Sequence, residues 1–216
     1  LQPFVESEKV SEDAGVRRSM PRQCRRVLSA QAGFAGADTV ITSLEVCPFR
    51  GKGGTALIAV GLDSGWLELW ELAGTLPEED EGEGGDEAVR VTARKVVSRR
   101  FYEGPIDSMS CSMYPSSVSV TNVVAVGCSG NNVVHVVEVN NTANGFGCDV
   151  RCTLKVAQGN VAGSHFDGAA IVYVTSTAGT VSKWNTSSYA SGSPLTFPAA
   201  EETYRLGAEG SELAGS

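Results

Sequence analysis

Histidine is scarce in this chain, with 2 residues among 216, so side chains that titrate near neutral pH and serve acid–base catalysis are few. Charged residues make up 19% of the chain, below the usual quarter. No apolar run approaches the ~18 residues of a membrane-spanning helix, and no stretch carries the sustained repeat of a coiled coil. We therefore expect neither a transmembrane helix nor a coiled coil, and the sequence offers little support for an enzyme.

Glycine and valine are abundant instead, with 25 and 27 residues. β-Branched side chains favour a pleated, half-buried surface, and glycines are typical of the turns between strands. Apolar residues make up 42% of the chain, which argues against a disordered protein. These proportions predict a globular, β-rich chain.

Most of the net charge of −8 comes from residues 78–87. Seven acids lie in this segment: Glu78, Glu79, Asp80, Glu81, Glu83, Asp86 and Glu87. Without them the formal net charge would be −1. Because like charges repel each other and stay hydrated, we expect residues 76–90 to form a solvated insertion rather than a docking site.

The two ends of the chain are expected to lie outside the folded core. Residues 1–36 mix charges with prolines and small residues, and indicate an irregular arm; residues 206–216 indicate a flexible tail. Five arginines of the arm would suit an acidic protein partner or the phosphates of RNA: Arg17, Arg18, Arg22, Arg25 and Arg26.

Between these ends, three segments repeat one pattern of three short β-type runs separated by Gly, Pro, Asp or Ser. The runs cover 41–48, 56–61 and 65–70, then 106–115, 122–127 and 132–139, then 161–166, 169–174 and 179–184. Gly61 and Gly127 lie 66 residues apart, or 51 without the insertion, and Ser176 takes the corresponding position 49 residues later. Such near-equal periods indicate one supersecondary element used three times.

A fourth strand fits after each unit, at 91–101, 149–157 and 194–204. Four antiparallel strands per unit, arranged radially, form a β-propeller. The predicted fold is therefore all-β, with three propeller blades over 37–103, 104–158 and 159–205. Since a closed propeller usually takes ~4–8 blades, we expect these three to be part of a propeller or to be completed by another chain.

Residues 41–70 carry the pattern Ile-x-Ser-Leu, then Pro, then Leu-Ile-Ala-Val-Gly-Leu-Asp-Ser-Gly-x-Leu-x-Leu-Trp. This pattern resembles a blade of the WD-repeat (Trp-Asp) propeller family. Trp70-Glu71 and Trp184-Asn185 stand where that family has Trp-Asp, whereas the second unit has Val137-Glu138 there, and no unit has the family's Gly-His pair. The resemblance implies a platform for protein–protein assembly in a multisubunit complex, with other subunits as partners.

The candidate catalytic residues have simpler structural interpretations. His135 shares a strand face with two valines, which predicts a packed histidine rather than a base. Ser164, His165 and Asp167 match a catalytic triad by residue type only, because neighbours on a strand point to opposite faces. We expect no catalytic residue.

Metal and cofactor sites are not expected either. Cys148 and Cys152 would lie ~13 Å apart on a strand, too far to share a zinc ion or a disulfide. Three cysteines within apolar runs are predicted to be buried: Cys47, Cys111 and Cys128. The segment 51–55 lacks the glycine spacing of a phosphate-binding loop and indicates a hairpin insertion.

These observations predict a non-catalytic, WD-repeat-like scaffold in the cytoplasm or nucleus. The arginine cluster of the arm and a half-buried Trp66 are the candidate partner contacts. An alternative is a secreted or cell-surface β-sandwich with disulfides and glycans, which the sequons at Asn140 and Asn185 allow. A third hypothesis is a propeller-type hydrolase.

Overall fold

The computed structural model describes residues 39–48, 55–75, 90–115, 120–142, 145–187, 189 and 197–206. Within these residues the chain forms twelve strands and no helix. The strands make three four-stranded antiparallel sheets, each built from four consecutive strands. The prediction of an all-β chain with three four-stranded units is thus confirmed, and the architecture is consistent with part of a β-propeller.

Each strand hydrogen-bonds to the strand that precedes it in its sheet. The first sheet contains β1 (Ile41–Cys47), β2 (Ala56–Leu62), β3 (Trp66–Thr75) and β4 (Arg90–Arg100). The second contains β5 (Ser108–Pro115), β6 (Val120–Gly127), β7 (Val133–Thr142) and β8 (Gly145–Lys155). The third contains β9 (Val161–Asp167), β10 (Ile171–Ser176), β11 (Thr180–Asn185) and β12 (Glu202–Arg205).

Two of the predicted fourth strands have different bounds in the structure. β8 begins at Gly145 rather than 149, because Gly145 already pairs with Thr142, the last residue of β7. β12 has 4 residues, so the predicted span 194–204 was too long. Pro198 precedes β12 and cannot donate to a strand ladder. Its carbonyl oxygen instead accepts a hydrogen bond from the indole nitrogen of Trp184, at 3.2 Å.

Glycines with positive φ form the turns before β3 and β11. Gly65 has φ +78° and Gly179 has φ +75°, a region that only glycine adopts without strain. The amide of Gly65 donates to the carbonyl of Leu62 at 3.1 Å, and the amide of Gly179 donates to the carbonyl of Ser176 at 3.0 Å. The same turn therefore starts the third strand of the first and third sheets.

The three sheets pack face to face, with their first strands side by side: β1 contacts β5, and β5 contacts β9. Buried residues between the first and second sheets are Leu57, Ala59, Leu67, Leu69, Val124, Val126 and Val137. Buried residues between the second and third sheets are Val123, Ala125, Val134, Val136, Val172, Val174 and Trp184. The second sheet is covered on both faces, which explains why its two central strands, β6 and β7, are rich in consecutive valines.

The sheets share one pairing pattern. Trp70 pairs with Ile58 and Trp184 pairs with Val172, each five residues after its turn glycine. Val137 takes that place in the second sheet. Thr175, not Ser176, corresponds to Gly61 and Gly127, because Thr175 pairs with Val181 as Gly61 pairs with Leu67. The register also shifts at matching points, between Leu69 and Trp70 and between Val136 and Val137.

Several predictions concern residues outside the described part of the chain: the arm at 1–36, the acidic segment 78–87 and the tail beyond 206. The blade boundaries at 37, 103, 158 and 205 stay a prediction. Across the described strands and turns there is no helix with the length and apolarity that a membrane crossing requires.

Candidate functional site

The first sheet has a second apolar face, which we call its outer face because it is turned away from the second sheet. Its side chains alternate along three strands with those that face the second sheet. They are Leu44, Val46, Ile58, Val60, Leu62, Trp66, Glu68, Trp70 and Leu72. Ile58, Val60, Leu62 and Trp70 form a buried cluster there, against which Leu72 packs. This cluster is separate from the core between the first and second sheets.

Part of the outer face is exposed apolar surface. Leu44 and Val46 of β1 are 45% and 59% exposed, and pair with Val60 and Ile58 of the buried cluster. Trp66, at the start of β3, is 38% exposed. Exposed apolar side chains that share one sheet face indicate an interaction surface more often than singly scattered ones do.

A buried carboxylate lies within the same face. Glu68 accepts hydrogen bonds from the indole nitrogen of Trp70 at 3.1 Å and from the ammonium group of Lys95 at 3.0 Å. The hydroxyl of Ser98 is 3.4 Å away. Lys95 pairs with Trp70 in the ladder, directly after the register shift. Because a buried charge needs a partner, this cluster fixes the orientation of Trp70 and Lys95 on the face.

In the second and third sheets, the faces that correspond to this outer face are packed. The positions of Ile58 and Val60 are taken by Val124 and Val126 against the first sheet. In the third sheet the same positions hold Val172 and Val174, which pack against the second sheet. The outer face of the first sheet therefore has apolar residues at the positions that, in the second and third sheets, contact a neighbouring sheet.

The face of the third sheet that is turned away from the second sheet differs in residue type from the corresponding faces of the other sheets. Tyr173 corresponds to Ala59, Thr175 to Gly61, and Lys183 to Leu69. Larger or charged side chains thus replace the small and apolar ones that allow two sheets to approach. The outward faces of the first and third sheets therefore differ in chemistry, since the first is largely apolar and the third has polar and charged side chains at the compared positions.

The predicted partner residues are divided between the described and undescribed parts of the chain. Trp66 lies on β3 on the outer face of the first sheet, the face that also carries the exposed Leu44 and Val46 of β1. The five arginines at 17, 18, 22, 25 and 26 lie outside the described residues. Their proposed contact with an acidic partner or RNA stays a prediction. The Glu68–Lys95 pair was not predicted from the sequence, because the two residues lie 27 positions apart in the chain with the acidic insertion between them.

The triad-like residues do not converge. Ser164 of β9 hydrogen-bonds through its hydroxyl with Ser108 of β5, at 2.8 Å, and so faces the second sheet. His165 lies exposed on the opposite face. Alternation along the strand separates the two side chains, as predicted.

His135 is a packed histidine, as predicted. Its Nδ1 lies 3.0 Å from the hydroxyl of Thr153, and its ring lies beside Phe101 and Tyr102, with centroid distances of 5.5 and 5.2 Å. Burial lowers the pKa of His135 to about 4, and the positive charge of Arg99 lowers it further. The imidazole is therefore neutral at pH 7.

This pKa predicts that the chain loses stability in mild acid. Between pH 6.5 and about pH 4 the unfolded chain binds a proton at His135 that the folded chain does not, so the free energy of unfolding falls as the pH falls. The loss approaches about 3 kcal/mol at the acid end of this window. Urea unfolding of wild type and His135→Asn between pH 7 and pH 4 measures it, and the variant should lose less. His165→Asn, at the exposed histidine, is the control and should behave as wild type; equal acid sensitivity of all three would contradict the prediction.

The described cysteines are free: Cys47, Cys111, Cys128, Cys148 and Cys152. Cys47 and Cys128 are buried, as predicted, and Cys111 is partly exposed. Among the described residues no three His, Cys, Asp or Glu side chains are grouped to hold a metal ion. The three-sheet arrangement also differs from the two-sheet sandwich of the secreted alternative.

No family model matches this chain, and no curated protein matches it. The chain is similar to a chain in the crystal structure of an active polycomb repressive complex 2 in the basal state, with 14% identity and a TM-score of 0.48. The match covers 69% of this chain and 28% of that chain, so this chain spans less than a third of that protein's length.

Proposed function

We propose that this chain is a non-catalytic scaffold that holds proteins together in a multisubunit assembly, and that a partner packs on the outer face of its first sheet. The observation that carries the proposal is the exposed apolar surface of Leu44, Val46 and Trp66. It lies on the face whose copies in the second and third sheets are packed against a neighbouring sheet. Burial of such a patch is favourable by about 25 cal/mol per Å² of apolar surface.

The repeated packing also defines the chemistry of the partner surface. The faces that cover the equivalent positions have small residues in their second strand: Ala59 and Gly61 in the first sheet, Ala125 and Gly127 in the second. A side chain on Gly61 would approach Ile106 to within 2.6 Å, and one on Gly127 would approach Val161 of the third sheet to within 3.1 Å, which shows how closely neighbouring units pack. By analogy with these faces, the proposed partner surface has small residues where it meets the exposed Leu44 and Val46.

A finer proposal concerns the assembly itself. Residues 40–48 and 58–65 resemble a late blade of the second subunit of Elongator. The resemblance would place the chain in an assembly that acts in wobble-uridine modification of transfer RNA, in the cytoplasm or nucleus, with the catalysis on another subunit. The identity of the bound chains tests this finer proposal separately from the scaffold function.

The scaffold function is tested by purifying the endogenous or tagged chain in high salt and identifying the chains that remain bound. We expect a stable set of partners with the wild type, and its loss with the double variant Leu44→Glu/Val46→Glu. Phe197→Glu is the matched control, since Phe197 is as exposed as Val46, at 59%, but lies outside the first sheet. A wild-type chain that purifies alone, or equal losses in both variants, would overturn the proposal. Circular dichroism establishes that the variants are folded.

A further inference from the structure

Two cysteines from different sheets lie with their sulfur atoms in contact. Cys47 is the last residue of β1 and Cys111 lies within β5, and their Sγ atoms are 3.7 Å apart. A disulfide needs a separation of about 2.05 Å, so the two sulfurs must approach by about 1.7 Å for a bond to form. Among the described cysteines, this is the pair with its sulfurs in contact.

We propose that Cys47 and Cys111 are an oxidation site, where a low-molecular-weight disulfide such as glutathione disulfide converts the two thiols into a covalent link between the first and second sheets. The site is independent of the scaffold function, because both cysteines lie between these two sheets and not on the outer face.

The strands that carry the two thiols are already held in register at their other end. The hydroxyl of Thr42 donates to the carbonyl oxygen of Ile106 at 2.6 Å, and the hydroxyl of Ser43 donates to the same oxygen. Ile106 lies two residues before the start of β5, and β1 contacts β5. The link would therefore join two strands whose relative position is already fixed by hydrogen bonds, which favours one specific disulfide.

The chemistry is ordinary thiol–disulfide exchange. Cys111 is partly exposed and reacts first: its thiolate attacks one sulfur of glutathione disulfide, forms a mixed disulfide and releases one glutathione thiolate. The thiolate of Cys47 then attacks the Cys111 sulfur and releases the second glutathione thiolate. Each released thiolate takes up one proton, so two protein thiols are oxidised while one glutathione disulfide is reduced to two glutathione thiols.

The environment of the pair sets its rate and its effect. The contact with Cys47 and burial both raise the pKa of Cys111, so the reactive thiolate is rare at neutral pH and the first step is slow. Once formed, the link joins residues 64 positions apart in the chain. Closing a loop of this length restricts the unfolded chain, and we expect the Tm to rise by about 5–15 °C.

Peptide mapping of the intact chain tests the proposal. The folded chain is incubated with glutathione disulfide, the remaining thiols are alkylated, and the protein is digested without reductant. We expect a linked peptide that contains Cys47 and Cys111, together with the rise in Tm. Reduction with glutathione should reverse both.

Three variants make the assignment specific. Cys111→Ser should abolish the linked peptide and the Tm rise, whereas Cys148→Ser, at another partly exposed cysteine, should keep both. Cys47→Ser should leave Cys111 as a mixed disulfide with glutathione. If a variant fails to fold, the wild-type peptide map still decides: a link between other cysteines, or a Cys47–Cys111 link that forms only in urea, overturns the proposal.

Discussion

Gly65→Ala is expected to destabilise the chain by about 3–5 kcal/mol. Gly65 lies in the turn between β2 and β3 with φ +78°. A Cβ atom there would lie 2.0 Å from the carbonyl oxygen of Tyr102 and 2.9 Å from that of Gly104. The substitution therefore adds a backbone collision to the strain of the left-handed conformation.

The collision would reach the contact between the first and second sheets. The amides of Phe101 and Tyr102 both donate to the carbonyl oxygen of Gly65, at 2.9 and 3.3 Å. The buried hydroxyl of Tyr102 lies 2.7 and 3.0 Å from the carbonyl oxygens of Val126 and Val133 in the second sheet. Burial raises the pKa of this hydroxyl, so it stays protonated and able to donate. Moving Tyr102 away from Gly65 would break these contacts.

Gly168→Ala separates the two causes. Gly168 has a similar φ of +68°, but a Cβ atom there would meet no atom within 4 Å. This control should lose only the conformational term, about 1–2 kcal/mol. Urea midpoints of both variants and the wild type measure the difference. If Gly65→Ala costs no more than Gly168→Ala, the close approach of Tyr102 is not structurally important.

Arg151→Met is expected to cost about 3–5 kcal/mol, because it removes one partner of a buried ion pair. The Arg151 side chain is 6% exposed, and the residue lies at the register shift in β8, between Val150 and Cys152. Its guanidinium contacts Glu138 at 3.3 Å and donates to the carbonyl oxygens of Thr186 and Ser187, at 3.2 and 3.3 Å. The group therefore joins the second sheet to the third.

The side chain also stacks on Tyr114, with the guanidinium carbon 3.9 Å from the ring centroid. A lysine keeps the charge but lacks the planar fork that makes several hydrogen bonds at once. Arg151→Lys should therefore lose a large part of the same stability. The double variant Arg151→Met/Glu138→Gln should recover part of the lost stability, because the neutral glutamine replaces the carboxylate that Arg151→Met alone leaves without this cation.

Arg94→Met is the matched control for this pair. Arg94 and Glu71 form a shorter ion pair, at 2.6 Å, but the Arg94 side chain is 73% exposed. Its hydrogen bond to Glu71 lowers the pKa of that carboxyl group, yet solvent screens the interaction. We expect a loss of about 0–1 kcal/mol. Contact distance alone predicts the opposite order, so thermal unfolding of the two variants distinguishes burial from distance as the cause.

Much of the fold can be predicted from local signals in the sequence. The alternation of Val60, Trp66 and Trp70 with their neighbours indicates strands, and Asp63-Ser64-Gly65 marks the turn between two of them. These signals depend on residues close in the chain. Hence the number of sheets and most strand bounds agree with the structure, while the short β12 does not, because Pro198 interrupts its span.

The candidate site could be predicted only in part. Trp66 is a candidate from its position near a strand end, whereas Leu44 and Val46 read as ordinary strand residues. They become candidate contacts because they are exposed on a face over which, among the residues that the structure describes, no sheet packs. Register places them there, and register is a property of the paired strands.

The local order of apolar, small and turn-forming residues was enough to establish twelve short strands in three similar groups, because strand and turn preferences act over a few neighbouring residues. Folding in three dimensions decided which groups meet. Cys47 lies against Cys111, Glu68 against Lys95, and Arg151 against Thr186, pairs separated by 64, 27 and 35 positions. Such contacts depend on which sheet faces are buried together, and this burial is a cooperative result of packing that no short segment contains.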